Sequence, residues 1–236
     1  MTALEGPARA EYVRRMFDRI APRYDLLNTL MTFGRDRAWR RETVRRLLLD
    51  GDERLLDLGT GTGDLAFEAR RRAPAARITA ADFAAAMLHR GQRRTGAGTV
   101  GWLIADALHL PFAAGTFQRV VSGFLLRNVA SLDAALTEQH RVLRPGGRLA
   151  CLDTTPPRPG LLRPLLNFHL QRVIPALGRI VAGDPEAYNY LPGSTARFLP
   201  AEELARRLTS AGFHKVGFVR RMFGTIAIHW GERASP

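Results

Sequence analysis

The stretch LLDLGTGTGDL, residues 55–65, decides how this chain is read. Leu55 to Leu58 is an apolar run interrupted only by Asp57, and Gly59-Thr60-Gly61-Thr62-Gly63 follows before a helical pattern begins. A short apolar run ending in glycines suits a strand buried on both faces of a parallel sheet. Glycines are needed where the backbone turns sharply and a ligand must touch it without a Cβ between them. The helix N-terminus behind such a loop favours an anionic ligand group.

Outward from this loop the pattern alternates. Residues 54–59, 77–82, 100–106, 119–124 and 148–153 read as strands, and residues 63–72, 84–94 and 131–143 as the helices between them. The last of these helices stops at Arg144-Pro145-Gly146-Gly147, a turn signal. Residues 201–211 read as a helix ended by Gly212, and 215–220 with 225–230 as a terminal hairpin. Strands alternating with helices predict a doubly wound α/β sheet, seven-stranded with the hairpin. Residues 8–20 and 34–49 read as two helices joined by Ala21-Pro22 and a polar segment. They form an N-terminal helical cap, 8–49, on one domain spanning 1–236, with a helical insert at 157–200 after the fifth strand.

The chain has 236 residues, 46% hydrophobic and 24% charged, which is one ordinary globular domain and excludes a disordered chain or a collagen. No run approaches the roughly 20 apolar residues of a spanning helix. MTALEGPARAEYVRR has no apolar core, so it is not read as a secretory signal. Cys151 is the one cysteine, so no internal disulfide forms and a reducing, cytoplasmic location is expected. The formal net charge is +13, with Lys215 the only lysine. Arginines concentrate in 9–46 and 157–183. Genome composition explains such an excess on its own; a polyanion or an anionic membrane would also attract it. Leu162, Leu166, Leu170, Val173, Leu177, Ile180 and Val181 recur at helical spacing, so 161–181 reads either as a surface helix packed on a core or as a membrane-contacting one, with Pro175 kinking it.

Three acids end predicted strands: Asp57, Asp82 and Asp106, the last followed by Ala107. Ligands bind at the carboxyl ends of strands in open α/β sheets, and an acid nineteen residues after the last loop glycine can accept ribose hydroxyls. Capping the helix from Ala84 is the alternative use for Asp82. A dinucleotide fingerprint would place its third glycine at position 64, which is Asp64. The tighter Gly59-x-Gly61-x-Gly63 form resembles motif I of the class I S-adenosylmethionine-dependent methyltransferases. The cofactor contacts expected on that resemblance are Asp57, Gly59, Thr60, Gly61, Thr62, Gly63, Asp82, Phe83, Asp106, Ala107 and Gly123.

MFDRIAPRYDLLNTLMTFGRDRAWRR (16–41), LDLGTGTGDLA (56–66), LLRNV (125–129), ALTEQHRVLRPGGRL (135–149), PALGRIVAGDPEAYNYLPGSTARF (175–198) and AIHWG (227–231) together resemble the UbiE/MenG/COQ5-type quinone-biosynthesis C-methyltransferases. What this resemblance implies is methyl transfer from S-adenosylmethionine to a ring carbon of a polyprenylated quinol, demethylmenaquinol to menaquinol, on the inner face of the cell membrane. It also turns 161–181 towards a lid over a lipid tail or a transient, peripheral membrane contact. The chain departs from the family pattern at Leu125, usually glycine, at Gly123, where some members place serine, and at Leu152-Asp153-Thr154-Thr155-Pro156-Pro157. These positions lie towards the expected substrate side.

A sulfonium methyl is electrophilic without help; the aromatic carbon needs a neighbouring phenolate to push electrons onto it. The enzyme must align the two and favour the phenolate. Arg127 and Asn128, past the fourth strand, are the catalytic candidates, with Arg127 holding the oxyanion or a water; local pairing is the alternative. Asp153 is a candidate base if desolvated. Tyr24, Tyr188 and Tyr190 read as packing or as lining of the quinol site. The six histidines show no metal spacing, so no metal is expected; His89, His109 and His140 read as surface residues, and His229 and Cys151 as core. The rivals are an RNA methyltransferase, another phenol or natural-product methyltransferase, and a non-catalytic cofactor-binding protein. No appended RNA-binding module is visible, so no nucleic acid is expected as partner. A homodimer is compatible with the sequence.

Overall fold

Strand β1, Arg54–Leu58, lies inside a seven-stranded sheet of order β3-β2-β1-β4-β5-β7-β6. The computed structural model describes residues 6–157, 160, 163–168, 172–173 and 193–235. The other strands are β2 (Arg77–Asp82), β3 (Gly101–Ile104), β4 (Phe117–Gly123), β5 (Leu143–Thr154), β6 (Phe213–Arg221) and β7 (Ile226–Arg233). β1 to β5 run parallel; β7 is antiparallel to both β5 and β6, the terminal hairpin expected from sequence. The order reverses between β1 and β4, and a crevice forms at the carboxyl ends of strands where that happens.

Strand alternation divides the core between two faces. Leu56, Val120, Leu149 and Cys151 pack on one side with α6 (Leu132–Val142) and α8 (Ala201–Ser210). Leu55, Val121 and Ala150 pack on the other with α3 (Asp36–Arg46) and α4 (Asp64–Arg72). A side-chain period of two makes both strand faces apolar, which is why these runs show no polar alternation. The remaining helices are α1 (Gly6–Ile20), α2 (Tyr24–Met31), α5 (Ala85–Gln92) and the short α7 (Arg163–Phe168).

The sequence expectation differs from the structure in a few places. Where two N-terminal helices were expected there are three: Pro22 sits in a 3-10 turn, Ala21–Arg23, and the eight-residue α2 follows it directly. The turn at Arg144 to Gly147 does not delay β5. Its register jumps from Phe117–Leu143 to Arg119–Arg148, so those four residues bulge out of a strand that begins at Leu143. His140 is half-buried with its ring edge-on to Phe213. His229 and Cys151 are in the core, each 1% exposed. The expected helix over 161–181 falls mostly outside the described residues, as do Tyr188 and Tyr190. No helix among the described residues is long and apolar enough to cross a membrane.

Candidate active site

The glycine loop is held from below. Asp57 is fully buried, and its Oδ2 accepts the Thr60 hydroxyl at 2.6 Å and the Ala66 N–H at 2.9 Å. Burial pushes its carboxyl up to about 7. Gly59 and Thr60 donate their N–H groups to the Ala81 carbonyl of β2. Gly63 has φ +91°, and a Cβ there would lie 2.7 Å from the Trp102 ring, so both conformation and space demand glycine. Asp82 spans loop and helix: Oδ2 accepts from Gly61 N–H at 2.7 Å and Oδ1 from Ala84 N–H at 2.8 Å. The capping use and the loop contact are thus made by one carboxylate. Burial raises its pKa.

Above the loop lies a cleft of about 820 Å³, its open mouth included. Gly59, Gly61, Asp82, Phe83, Asp106, Ala107 and Gly123 line it from the strand ends. Ala10, Val13, Arg14 and Phe17 of α1, Tyr24 of α2 and Met87 of α5 close it from the opposite side. α1 is tied down by Asp18, whose Oδ1 accepts the Ala86 N–H at 3.1 Å. Asp106 Oδ1 accepts the Leu108 N–H at 2.9 Å. Phe83 remains 38% exposed, a ring face for a planar ligand. Thr60 and Thr62 line a smaller adjoining pocket of about 320 Å³ with Tyr24, Arg40 and Asp64. Thr62 donates its hydroxyl to Asp25 Oδ1 of α2 at 2.7 Å, which links loop and cap. Asp57 and Gly63 line neither space; they brace the loop.

The three catalytic candidates separate. Asn128 lines the cleft, donating its amide to the Phe124 carbonyl at 2.8 Å. Arg127 faces a second cavity of about 980 Å³, with Arg9, Arg197, Leu126, Phe198 and Leu199; Val129 and Ala130 are common walls of both spaces. Asp153 is 1% exposed and wholly engaged: Oδ1 accepts from Arg127 Nη1 at 2.6 Å and Thr154 N–H at 2.7 Å, and Oδ2 from Arg127 N–H at 3.2 Å. Arg127 Nε is buried without a partner. Phe124, at the end of β4, has φ +59°, rare for a residue with a side chain, and strain of this kind concentrates at working sites.

Sequence reading did not find Arg40, the α1 wall or Met87. Arg40 is 7% exposed; Nη1 binds Asp36, and Nη2 lies 3.2 Å from Asp64. Burial opposes its charge, but Asp64, Asp36 and Tyr24 raise its pKa overall. Burial also raises the Tyr24 phenol. The opening signature at 16–41 contained both residues but did not say which way each points. Among the described residues no three His, Cys, Asp or Glu side chains gather as a metal site would need.

A mostly parallel sheet with a reversed terminal hairpin, a glycine loop after β1 and acids at the ends of β2 and β3 define a class I methyltransferase. The ubiE/COQ5 methyltransferase family model matches residues 6–233, and the chain belongs to that family. It is therefore an S-adenosylmethionine-dependent methyltransferase. It is 47% identical to the ubiquinone/menaquinone biosynthesis C-methyltransferase UbiE of Desulfotalea psychrophila, over 98% of this chain and 96% of that one. It is 46% identical to the demethylmenaquinone methyltransferase of Thermus thermophilus, over 92% and 100%. Among solved structures the [4+2]-cyclase SpnF shares the fold, with TM-score 0.69 at 19% identity, over 95% of this chain and 96% of that one.

Proposed function

We propose that the protein methylates a ring carbon of a polyprenylated quinol, demethylmenaquinol in the first place, with S-adenosylmethionine as donor. The observation that carries this reading is the near full-length likeness to enzymes named for that reaction, on a chain whose own loop and acids fit the donor. The fit rests on these residues. Asp82 keeps acceptor capacity for ribose hydroxyls beyond its two backbone bonds, because a carboxylate offers about four lone-pair sites. Phe83 offers its ring face to adenine, and Asp106 and Ala107 its edge contacts. Gly59, Gly61 and Gly123 leave room for the chain bearing the sulfur. When bound, the donor supplies an electrophilic methyl and a neutral thioether leaving group.

Arg127, Arg9 and Arg197 in the second cavity favour the phenolate of the acceptor, and the apolar Leu126, Phe198 and Leu199 suit its hydrocarbon part. Asn128, on the wall towards the cleft, orients the ring. Phenolate electrons form the C–C bond as the S–C bond breaks, and the ring proton then leaves to water. Asp153, held by Arg127, positions that guanidinium rather than taking a proton. A long prenyl tail requires access at a bilayer, and the net charge of +13 and Phe168, 60% exposed on α7, support a peripheral contact at an anionic cytoplasmic membrane face.

Labelled S-adenosylmethionine is offered with a short-chain demethylmenaquinol in detergent, reduced or oxidised, and with bulk RNA in parallel. Label is expected in the extracted quinone only from the reduced acceptor. Label on RNA, or equal label from the oxidised quinone, overturns the reading.

A further inference from the structure

We propose that the groove between α4 and the connection from α5 to β3 binds a diphosphate-type anion, at a site separate from the donor and acceptor spaces. The groove holds about 1050 Å³, its open mouth included, and shares no lining residue with the cavities described above. Arg70 and Arg71 of α4 line one side, and Arg93, Arg94 and Thr95 the other; no acid lines it.

These guanidiniums are unequally neutralised. Arg71 holds both oxygens of Glu68, at 2.9 and 2.6 Å. Arg94 Nη1 donates to Asp64 Oδ1 at 2.6 Å and to the Thr62 carbonyl at 2.9 Å, with the guanidinium 4.7 Å over the Phe67 ring. Asp64 is itself shared with Arg40. Arg70 uses Nη1 and Nη2 on the carbonyls of Pro74 and Thr99, which carry no net charge. Arg93 is exposed, and its guanidinium meets no acceptor among the described residues. Arg70 and Arg93 thus line one groove without a carboxylate. Helix dipoles favour a cation at the C-terminal ends of α4 and α5, but gathering four in one groove sets like charges together, and an anion between them removes that cost. The backbone contributes as well. Gly96 is left-handed at φ +85°, and the N–H groups of Thr95 and Gly96 donate to no carbonyl among the described residues. Successive N–H groups beside a left-handed residue form a concavity that binds anions. Arg70 and Arg94 are pinned by carbonyls, so their planar forks are pre-set for phosphoryl oxygens. Positive charge on both walls suits two linked phosphoryl groups better than one. A soluble diphosphate and the clustered phosphates of lipid headgroups present the same oxygens.

The test is calorimetric titration with inorganic pyrophosphate, with inorganic phosphate in parallel. The wild type is expected to bind pyrophosphate in a single saturable step, about tenfold or more tighter than phosphate, as one further charged hydrogen bond gives. Arg93→Ala and Arg71→Ala are each expected to weaken pyrophosphate about 3- to 10-fold. Arg71 makes only a surface ion pair with Glu68 and Arg93 makes none, so both variants should fold. Arg72→Ala removes an equal charge from the same helix end outside the groove, and should change binding by less than about twofold. Sedimentation with phosphatidylglycerol vesicles separates the two sources. Vesicle binding that Arg93→Ala weakens and pyrophosphate competes away assigns the phosphates to lipid headgroups; pyrophosphate binding with no such vesicle binding assigns a soluble ligand. A wild type that binds no pyrophosphate overturns the proposal. So does binding that Arg72→Ala weakens as much as Arg93→Ala, which marks diffuse attraction to a basic surface. Binding untouched by either groove variant overturns it too, and places the anion at other arginines.

Discussion

Replacing Asp153 by asparagine separates two roles that the same residue could play. The side chain is 1% exposed and accepts three hydrogen bonds, two of them from Arg127, which is itself 8% exposed. Asparagine keeps the shape but removes the charge that the buried guanidinium is paired with. Breaking a buried ion pair from one side costs about 3–5 kcal/mol. For a chain of this size that is a fall in Tm of about 6–20 °C. Urea unfolding measured by circular dichroism would show the midpoint falling by more than about 1 M if the slope stays within its usual range of about 1–3 kcal/mol per M. Pairing the change with Arg127→Met should recover much of the loss, because the apolar pair leaves no buried charge unmatched. Activity should fall with the disordered Arg127 but keep the wild-type pH profile. An Asp153→Asn protein as stable as the wild type, yet with kcat lost and the acidic limb of the profile gone, would refute the positioning role and make Asp153 the base.

Three further outcomes follow from the same structure. His229 is buried, and its pKa is lowered to about 4, chiefly by burial. The unfolded chain therefore takes up this proton first as pH falls from about 6.5. Stability from this group is present above that pH and lost towards pH 4, by about 3 kcal/mol. Chemical unfolding at pH 7 and pH 4.5 should show less loss in His229→Gln than in the wild type. Asp57 acts in the opposite sense: with its folded pKa raised to about 7, the protonated form favours the native state, and its penalty appears as pH rises from about 4 to above 7. Asp57→Asn should thus gain on the wild type between pH 5 and pH 8, and an unchanged stability difference between them contradicts that. A Cβ on Gly59 would lie 2.8 Å from Leu125 Cδ1 at φ +66°. Gly59→Ala should cost more than about 1 kcal/mol, and Leu125→Ala in the same chain should relieve part of it, with a coupling above about 0.5 kcal/mol by double-mutant cycle.

Much of this site was legible because its residues stand at strand ends. Asp82, Asp106, Gly59 and Gly61 could be placed from the alternation of apolar runs and helices, since a strand that stops at the crevice delivers its next residues there. That logic also admitted Asp57, which is buried under the loop and does not line the cleft. Asp57 stands opposite Ala80, two residues short of the level of Asp82, so it lies inside the sheet while Asp82 lies at its edge. Arg40 was invisible for another reason. It is one of eleven arginines between residues 9 and 46, and its burial depends on Asp64, an acid on a different helix. Similarly, the engagement of Asp153 by Arg127 spans 26 residues, and the left-handed Phe124 beside it has no glycine to announce it. Helix α2 was hidden by its length and by Pro22, whose usual meaning is a break.

The proposed reaction puts the methyl group on carbon, on a quinol. The deciding experiment uses donor carrying a ¹³C methyl group, reduced short-chain demethylmenaquinol and purified protein, with the extracted product read by NMR. A single enriched methyl bonded to a ring carbon of the quinone is expected. Enrichment in an O-methyl ether, with the ring carbon still bearing its proton, would contradict it and turn the same cofactor site towards phenol chemistry.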